Sequence, residues 1–221
     1  MLNLNLNLPN ARAPSFLFIG AHCDDIEIGC GGTVTELLRR YPDARVHWVV
    51  LSSEGVRRQE ALRAARSMLR GLCEPNIEIK NFRGAYFPSE APAIKDVFEA
   101  MKRDYAPDVV FAHCRDDLHQ DHRIVGELTW NTFREHLILE YEIPKYDGGL
   151  GSPSVFVPLP AAAVKRKINL LMRVFKTQHG KHWFTPETFQ ALMRLCGIEC
   201  NAPSGYAEAF YSRKLVWGMS P

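Results

Sequence analysis

Two short runs concentrate the reactive side chains of this chain: Ala21-His22-Cys23-Asp24-Asp25-Ile26-Glu27 and His113-Cys114-Arg115-Asp116-Asp117-Leu118-His119-Gln120-Asp121-His122. Imidazole and carboxylate are the donors that borderline-soft zinc binds, and a catalytic zinc site needs about three protein ligands plus an open position. Two such runs can supply that set. A zinc ion lowers the pKa of bound water to about 7 and polarises a carbonyl. Hydrolysing an amide also needs a base and a stabiliser for the oxyanion, and the spare acids and histidines beside the ligands are candidates for both. Taken singly, a His-x-Asp-Asp run also reads as a helix cap, because aspartate is a favoured N-cap. The pair argues for metal, since acids and histidines packed into one crevice repel or stay unpaired without a cation.

Both runs follow apolar segments that read as buried strands. Ser15-Phe-Leu-Phe-Ile-Gly20, bounded by Pro14 and Gly20, delivers His22 to a strand end, and Asp108 to His113 is a strand that ends on a histidine. Between them the pattern alternates. Gly29 to Thr33 reads as a loop into a helix from Val34 to Tyr41 that stops at Pro42. Val46 to Leu51 is a strand, Arg57 to Leu72 an arginine-rich helix, Asn76 to Phe82 a half-buried strand and Ala93 to Tyr105 an amphipathic helix. The last third gives strands over Leu137 to Tyr146, Val155 to Val157 and Ala207 to Trp217, with helices over Ala161 to Thr177 and Thr185 to Cys196. Strand-helix alternation predicts a three-layer, Rossmann-like α/β fold, its mostly parallel central sheet covered by helices on both faces. In such sheets ligands collect at the carboxyl ends of the strands, so the segments after Gly20, Leu51 and Ala112 should converge on one crevice.

The chain of 221 residues is 46% hydrophobic, enough for one sizeable core. We therefore expect a single domain over 1–221, with 1–13 a polar leader. Lysine and arginine total 27 against 25 acids, and a net charge of +2 gives no field arguing for nucleic acid. No run reaches the roughly 18 apolar residues of a membrane span, and the N-terminus lacks the pattern of a secretion signal. A cytoplasmic protein with a small-molecule partner is expected. Six cysteines (23, 30, 73, 114, 196 and 200) are too sparse for a disulfide scaffold; Gly197 reads as the end of a helix between Cys196 and Cys200. No heptad or apolar stripe indicates an oligomer.

Ala21-His-Cys-Asp-Asp-Ile-Glu-Ile-Gly-Cys-Gly-Gly-Thr33 resembles the Ala-His-Pro-Asp-Asp-Glu signature and glycine-rich continuation of the PIG-L/LmbE deacetylases, and Asp117-Leu-His-Gln-Asp-His122 resembles their second metal motif. The likeness runs from about Ser15 to Val125 and continues loosely to Tyr206-Ala-Glu-Ala-Phe210, similar to a closing motif of many members. The resemblance implies an LmbE-like fold and removal of an acyl group, chiefly acetyl, from the nitrogen of an amino sugar. It implies that His22, Asp25 and His122 hold zinc and that Asp24 is the general base. His119 would be a protonated partner for the oxyanion or the leaving amine, and Asp121 would orient a histidine from behind. The reading places Asp24 and Asp25 in an extended segment, where neighbours point to opposite sides.

Arg57 and Glu60 resemble an Arg-x-x-Glu element whose arginine reaches the substrate; the basic run Arg57, Arg58, Arg63, Arg66 and Arg70 reads either as a solvated face or as a site for a substrate phosphate. His113 is expected behind the ligands, and Gln178 to Trp183 is read as a plain loop. Three departures stand out: Cys23 replaces the usual proline, Ile26-Glu27 shifts an acid by one place, and only Ser52 to Val56 separates the second strand from Arg57, predicting a low pocket wall. Two-histidine, one-aspartate sites also accept Fe2+ or Co2+. A nucleotide-binding loop is disfavoured by the spacing of Gly29, Gly31 and Gly32 and by the acids before it. A metal- or nucleotide-sugar-binding module without catalysis is the remaining alternative. The motifs leave open whether a sugar substrate is free or linked to a lipid, thiol, antibiotic or nucleotide.

Overall fold

The structure is a computed structural model that describes residues 5, 6, 8, 12–71 and 75–216. Strands β1 (Ser15–Gly20), β2 (Arg45–Val50), β3 (Asn76–Ile79), β4 (Val109–His113) and β5 (Leu137–Tyr141) form one parallel sheet in the order β3-β2-β1-β4-β5. Helices α1 (Asp25–Arg40), α2 (Gly55–Met68), α3 (Phe87–Asp104) and α4 (Gln120–Thr132) make the crossovers, followed by α5 (Ala161–Val174) and α6 (Pro186–Glu199). A short antiparallel ribbon pairs β6 (Val155–Pro158) with β7 (Ala207–Phe210).

The strand sequences explain the layering. Successive side chains of a strand point to opposite faces, so Phe16 and Phe18 of β1 enter the core under α1, α2 and α5, while Leu17 and Ile19 enter the core under α3 and α4. Phe18 stacks on Phe111 of β4 at 4.8 Å between ring centroids, binding the two central strands on one face. The chain leaves β1 in one direction towards β2 and β3 and returns on its other side to β4 and β5. The sheet's switch point therefore lies between β1 and β4, whose ends carry the two reactive runs.

Several boundaries differ from the sequence reading. α1 begins at Asp25, and the run Gly29 to Thr33 lies inside it rather than in a loop. Asp24 is its N-cap with φ −119° and ψ −6°, so the aspartate pair starts a helix and is not extended. The helix is broken at Cys30 (φ −142°, ψ 16°). α3 starts six residues earlier than expected, because Pro88 fits a first turn and Pro92 is tolerated within the helix. α4 was not anticipated at all. α6 continues through Gly197, where a Cβ would lie 2.2 Å from the Gly205 carbonyl oxygen, so this glycine serves a close approach and not a helix end. Cys23, Cys30, Cys114, Cys196 and Cys200 are free thiols; Cys73, Leu72 and Trp217 fall outside the described residues. Among the described residues no helix is long and apolar enough to cross a membrane.

At Gly29 a Cβ would lie 2.1 Å from the Tyr141 ring, whose hydroxyl donates to the Ile19 carbonyl at 2.7 Å. Gly29→Ala is expected to lower the unfolding free energy by about 1–3 kcal/mol. Urea denaturation checks this: the midpoint should fall with the slope unchanged.

Candidate active site

The first turn of α1 and the start of α4 bring both runs to one cavity of about 670 Å³ at the carboxyl ends of β1 and β4. One donor atom each from His22, Asp25 and His122 lies within 4.8 Å of the others. His22 Nδ1 is 3.2 Å from His122 Nε2, and His122 Nε2 is 3.6 Å from Asp25 Oδ1.

The partners behind these atoms fix their protonation. His122 Nδ1 lies 3.0 Å from Asp117 Oδ2, and a carboxylate only accepts, so Nδ1 carries the proton and Nε2 presents a lone pair. His22 Nε2 lies 3.0 Å from Asp121 Oδ2, which leaves Nδ1 bare in the neutral ring. Asp25 Oδ2 accepts from the His22 backbone N–H at 2.6 Å and lies 3.0 Å from His113 Nε2, which also faces the Ala21 N–H at 3.1 Å, leaving Oδ1 to face the histidines. With the His22 ring neutral, three lone pairs would converge on one point, a donor set that fits a divalent cation.

The electrostatics agree. Burial penalises a charged His22, yet Asp121 and Asp25 outweigh it and raise its pKa to about 9, so this point attracts positive charge. Burial and then His113 push His122 down to about 3, keeping it a neutral donor. Burial also opposes ionisation of Asp25, but His122 and His113 hold its carboxyl well below the ordinary carboxylate range.

Asp24 lines the cavity beside this cluster. Its Oδ1 accepts from Arg57 Nη2 at 3.3 Å, and Oδ2 has no hydrogen-bond partner among the described residues. Burial, then the charge of Asp25, raises its pKa, with Arg57 opposing. Arg57 also donates from Nε to Cys23 Sγ at 3.1 Å, so the cysteine that replaces the usual proline helps aim the arginine at Asp24. Arg57 is on the cavity wall as expected, whereas Arg58, Arg63, Arg66 and Arg70 are exposed and do not line it, which removes the basic run as a phosphate site. Glu60 faces away from the cavity and accepts from Thr177 N and Oγ1 at 3.1 and 2.5 Å.

His119 is the N-cap of α4, with Nδ1 accepting from the Asp121 backbone N–H at 3.2 Å. That makes Nε2 its N–H, and burial followed by the charge of His22 lowers its pKa. With Nδ1 occupied, His119 offers the hydrogen on Nε2, and the lowered pKa weighs against the protonated form expected from the sequence. Asp121 orients His22 and simultaneously accepts from Ala85 N at 2.6 Å and Phe87 N at 3.2 Å. Ala85 holds a left-handed φ of 65° at the cavity edge, over-determined by that bond and by Gln120 Nε2 donating to its carbonyl at 2.6 Å.

Sequence reasoning gave Asp117 no role. It is buried against His122, accepts from Lys145 Nζ at 2.8 Å and from His119 N at 2.8 Å, and these partners outweigh burial to hold its carboxyl below the usual range. Its position five residues before His122 was the available signal. Lys145 was not legible. The stretch read as a plain loop contributes Lys181 and Trp183 to the cavity lining, which Ser52, Ser53 and Glu54 also reach.

Fold and cluster together define the class: a parallel α/β protein with an open His/Asp centre at the switch point of its sheet. The chain belongs to the PIG-L family, and with it to the deacetylase hydrolases: the family profile, described as GlcNAc-PI de-N-acetylase, matches residues 17–133, just over half the chain and both His/Asp runs. Among solved structures, an N,N'-diacetylchitobiose deacetylase from Pyrococcus horikoshii aligns at 21% identity and TM-score 0.70 over 95% of this chain and 87% of that one. The A40926 pseudoaglycone deacetylase Dbv21 aligns at 18% and 0.68 over 91% and 97%. GalB, the 4-carboxy-2-hydroxymuconate hydratase from Pseudomonas putida KT2440, aligns at 16% and 0.68 over 94% and 100%. At these identities the likeness is one of fold, and a fold does not dictate a reaction.

Asp117→Asn should weaken metal binding about 10–100-fold, the usual cost of removing the carboxylate behind a ligating histidine. Competition with a chelator measures this, and secondary structure should be unchanged.

Proposed function

We propose that the protein is a metal-dependent N-deacetylase that hydrolyses the N-acyl amide, chiefly N-acetyl, of an amino sugar to acetate and a free amine. The observation that carries the reading is the meeting of two imidazole nitrogens and a carboxylate oxygen at one point, beside an aspartate with one oxygen unpaired among the described residues.

His22 Nδ1, Asp25 and His122 Nε2 are the ligands in this proposal. A divalent cation there, zinc by preference and Fe2+ or Co2+ as alternatives, would polarise the acyl carbonyl and lower the pKa of water. Asp24 Oδ2 takes the proton of the attacking water, and its raised pKa brings it nearer the range of an efficient base at neutral pH. Arg57 holds the other oxygen, so the carboxylate cannot rotate away as it gains the proton. His119 Nε2–H donates to the oxyanion, and Asp24 returns its proton to the departing nitrogen. Asp121, Asp117 and His113 orient His22, His122 and Asp25 without touching substrate.

The cavity volume lies within the usual range for small-ligand sites, and Phe82, Tyr146 and Trp183 give it apolar surface suited to the faces of a sugar ring. With the exposed arginines of α2 outside it, the pocket gives no reason to prefer a nucleotide-linked sugar.

Elemental analysis tests the centre first: about one equivalent of divalent metal is expected in the parent and none in His122→Ala. Asp24→Asn should retain the metal while kcat for acetate release from N-acetylated sugars falls by about 10²–10⁴-fold. Protein that takes up no metal even after resupply would sink the mechanism. A metal-loaded protein that hydrates alkenes but releases no acetate would reassign the reaction to the hydratase type.

A further inference from the structure

The break in α1 at Cys30 lies five residues after Asp25, and what bridges it is a buried ion pair. In a regular helix the Gly32 N–H points at the Ile28 carbonyl. Here Gly32 N donates to Glu208 Oε1 at 2.8 Å and Thr33 N to Glu208 Oε2 at 2.6 Å, while the Ile28 carbonyl accepts from Lys167 Nζ at 2.5 Å. Lys167 Nζ in turn donates to Glu208 Oε1 at 2.6 Å. Glu208 and Lys167 are only 4% and 3% exposed. The glycines make room: a Cβ on Gly32 would sit 3.0 Å from Glu208 Oε1 and 2.5 Å from Leu159 Cδ1.

Side chains inserted into the backbone ladder are a recognised cause of sharp kinks. This insertion is complete, since the carboxylate satisfies the N–H groups that open the second segment and the ammonium satisfies a carbonyl that closes the first. The first segment spans only Asp25 to Cys30, too short to hold its direction unaided. Its Ile28 N–H bonds back to the Asp24 carbonyl at 3.0 Å, so the segment's direction sets where Asp24 and Asp25 stand.

We propose that the Lys167–Glu208 pair is a joint that aims the site-bearing segment of α1, making both residues positioning residues for the reaction. The link to catalysis rests on the proposed metal centre; the joint itself does not. It gives a purpose to the closing motif Tyr206 to Phe210, whose glutamate stands far from the cavity.

The test uses Glu208→Gln, Glu208→Asp and Lys167→Met, with Phe98→Leu in the other core as a destabilised control. Co2+ titration of the metal-free protein should show affinity about 10–100-fold weaker in the joint variants, as for loss of other groups that orient ligands. The parent should have the larger kcat at similar KM. Phe98→Leu should match the parent in both despite a lower Tm. Hydrogen exchange supplies a readout independent of metal and substrate: the Ile28 amide should exchange more than 10-fold faster in Glu208→Asp while the Phe18 and Phe111 amides keep the parent's rates. Uniform acceleration, or none, would overturn the joint, as would parent-like Co2+ affinity in Glu208→Gln if that variant folds. If the parent itself binds no Co2+, the metal reading fails while the exchange result still judges the joint.

Discussion

Two imidazole nitrogens and a carboxylate oxygen turned to one point repel one another unless positive charge lies between them. His22 Nδ1, His122 Nε2 and Asp25 Oδ1 keep that arrangement because each is held from behind by a group that leaves it no alternative: Asp121 for His22, Asp117 for His122, and the His22 backbone with His113 for Asp25. The price of this arrangement is paid by the rest of the fold, through burial of the supporting carboxylates with their own partners. Removing one support frees a ring or a carboxylate to turn towards a better hydrogen bond, and the meeting point is lost.

The sheet supplies the geometry that makes such holding possible. At the switch point two helices begin side by side, with Asp25 in the first turn of α1 and Asp121 in the first turn of α4. Helix N-termini favour negative charge, so both carboxylates stay ionised where burial opposes it. β1 and β4 are bound through Phe18 and Phe111, and the two starting points therefore move as one body. Arg57 reaches the same place because the short link after β2 starts α2 close to Asp24.

Much of this was legible in the residues. The apolar strands are short and bounded, and the two His/Asp runs sit just past β1 and β4, so the crevice on which they converge could be read from the residues alone. Where helix bounds differ from the sequence reading, glycine and proline are the reason, since they read locally as breaks. Gly29, Gly32 and Gly197 lie inside helices because Tyr141, Leu159 and the Gly205 backbone come too close for a side chain, and such long-range crowding leaves no local mark. α4 was overlooked because its first turn is the metal motif itself. Asp117 was quoted without a role, since only the fold shows that it faces His122; Lys145, Lys181 and Trp183 reach the cavity from segments far along the chain.

Asp121 ties together two things that a diversifying family would want to vary separately. Its two oxygens accept from Ala85 and Phe87, which shape one cavity edge, while the same carboxylate orients His22. A change in the loop between β3 and α3 is therefore transmitted to His22, and that side of the pocket is constrained by the centre it supports. The loop carrying Tyr146 is tied in the same way, since Lys145 donates to Asp117 behind His122. The segment of Lys181 meets that loop through the His182 N–H, which donates to the Tyr146 hydroxyl. Descendants of this chain can acquire new substrates most freely by rewriting the segment around Lys181, where a change reaches the reacting groups least directly.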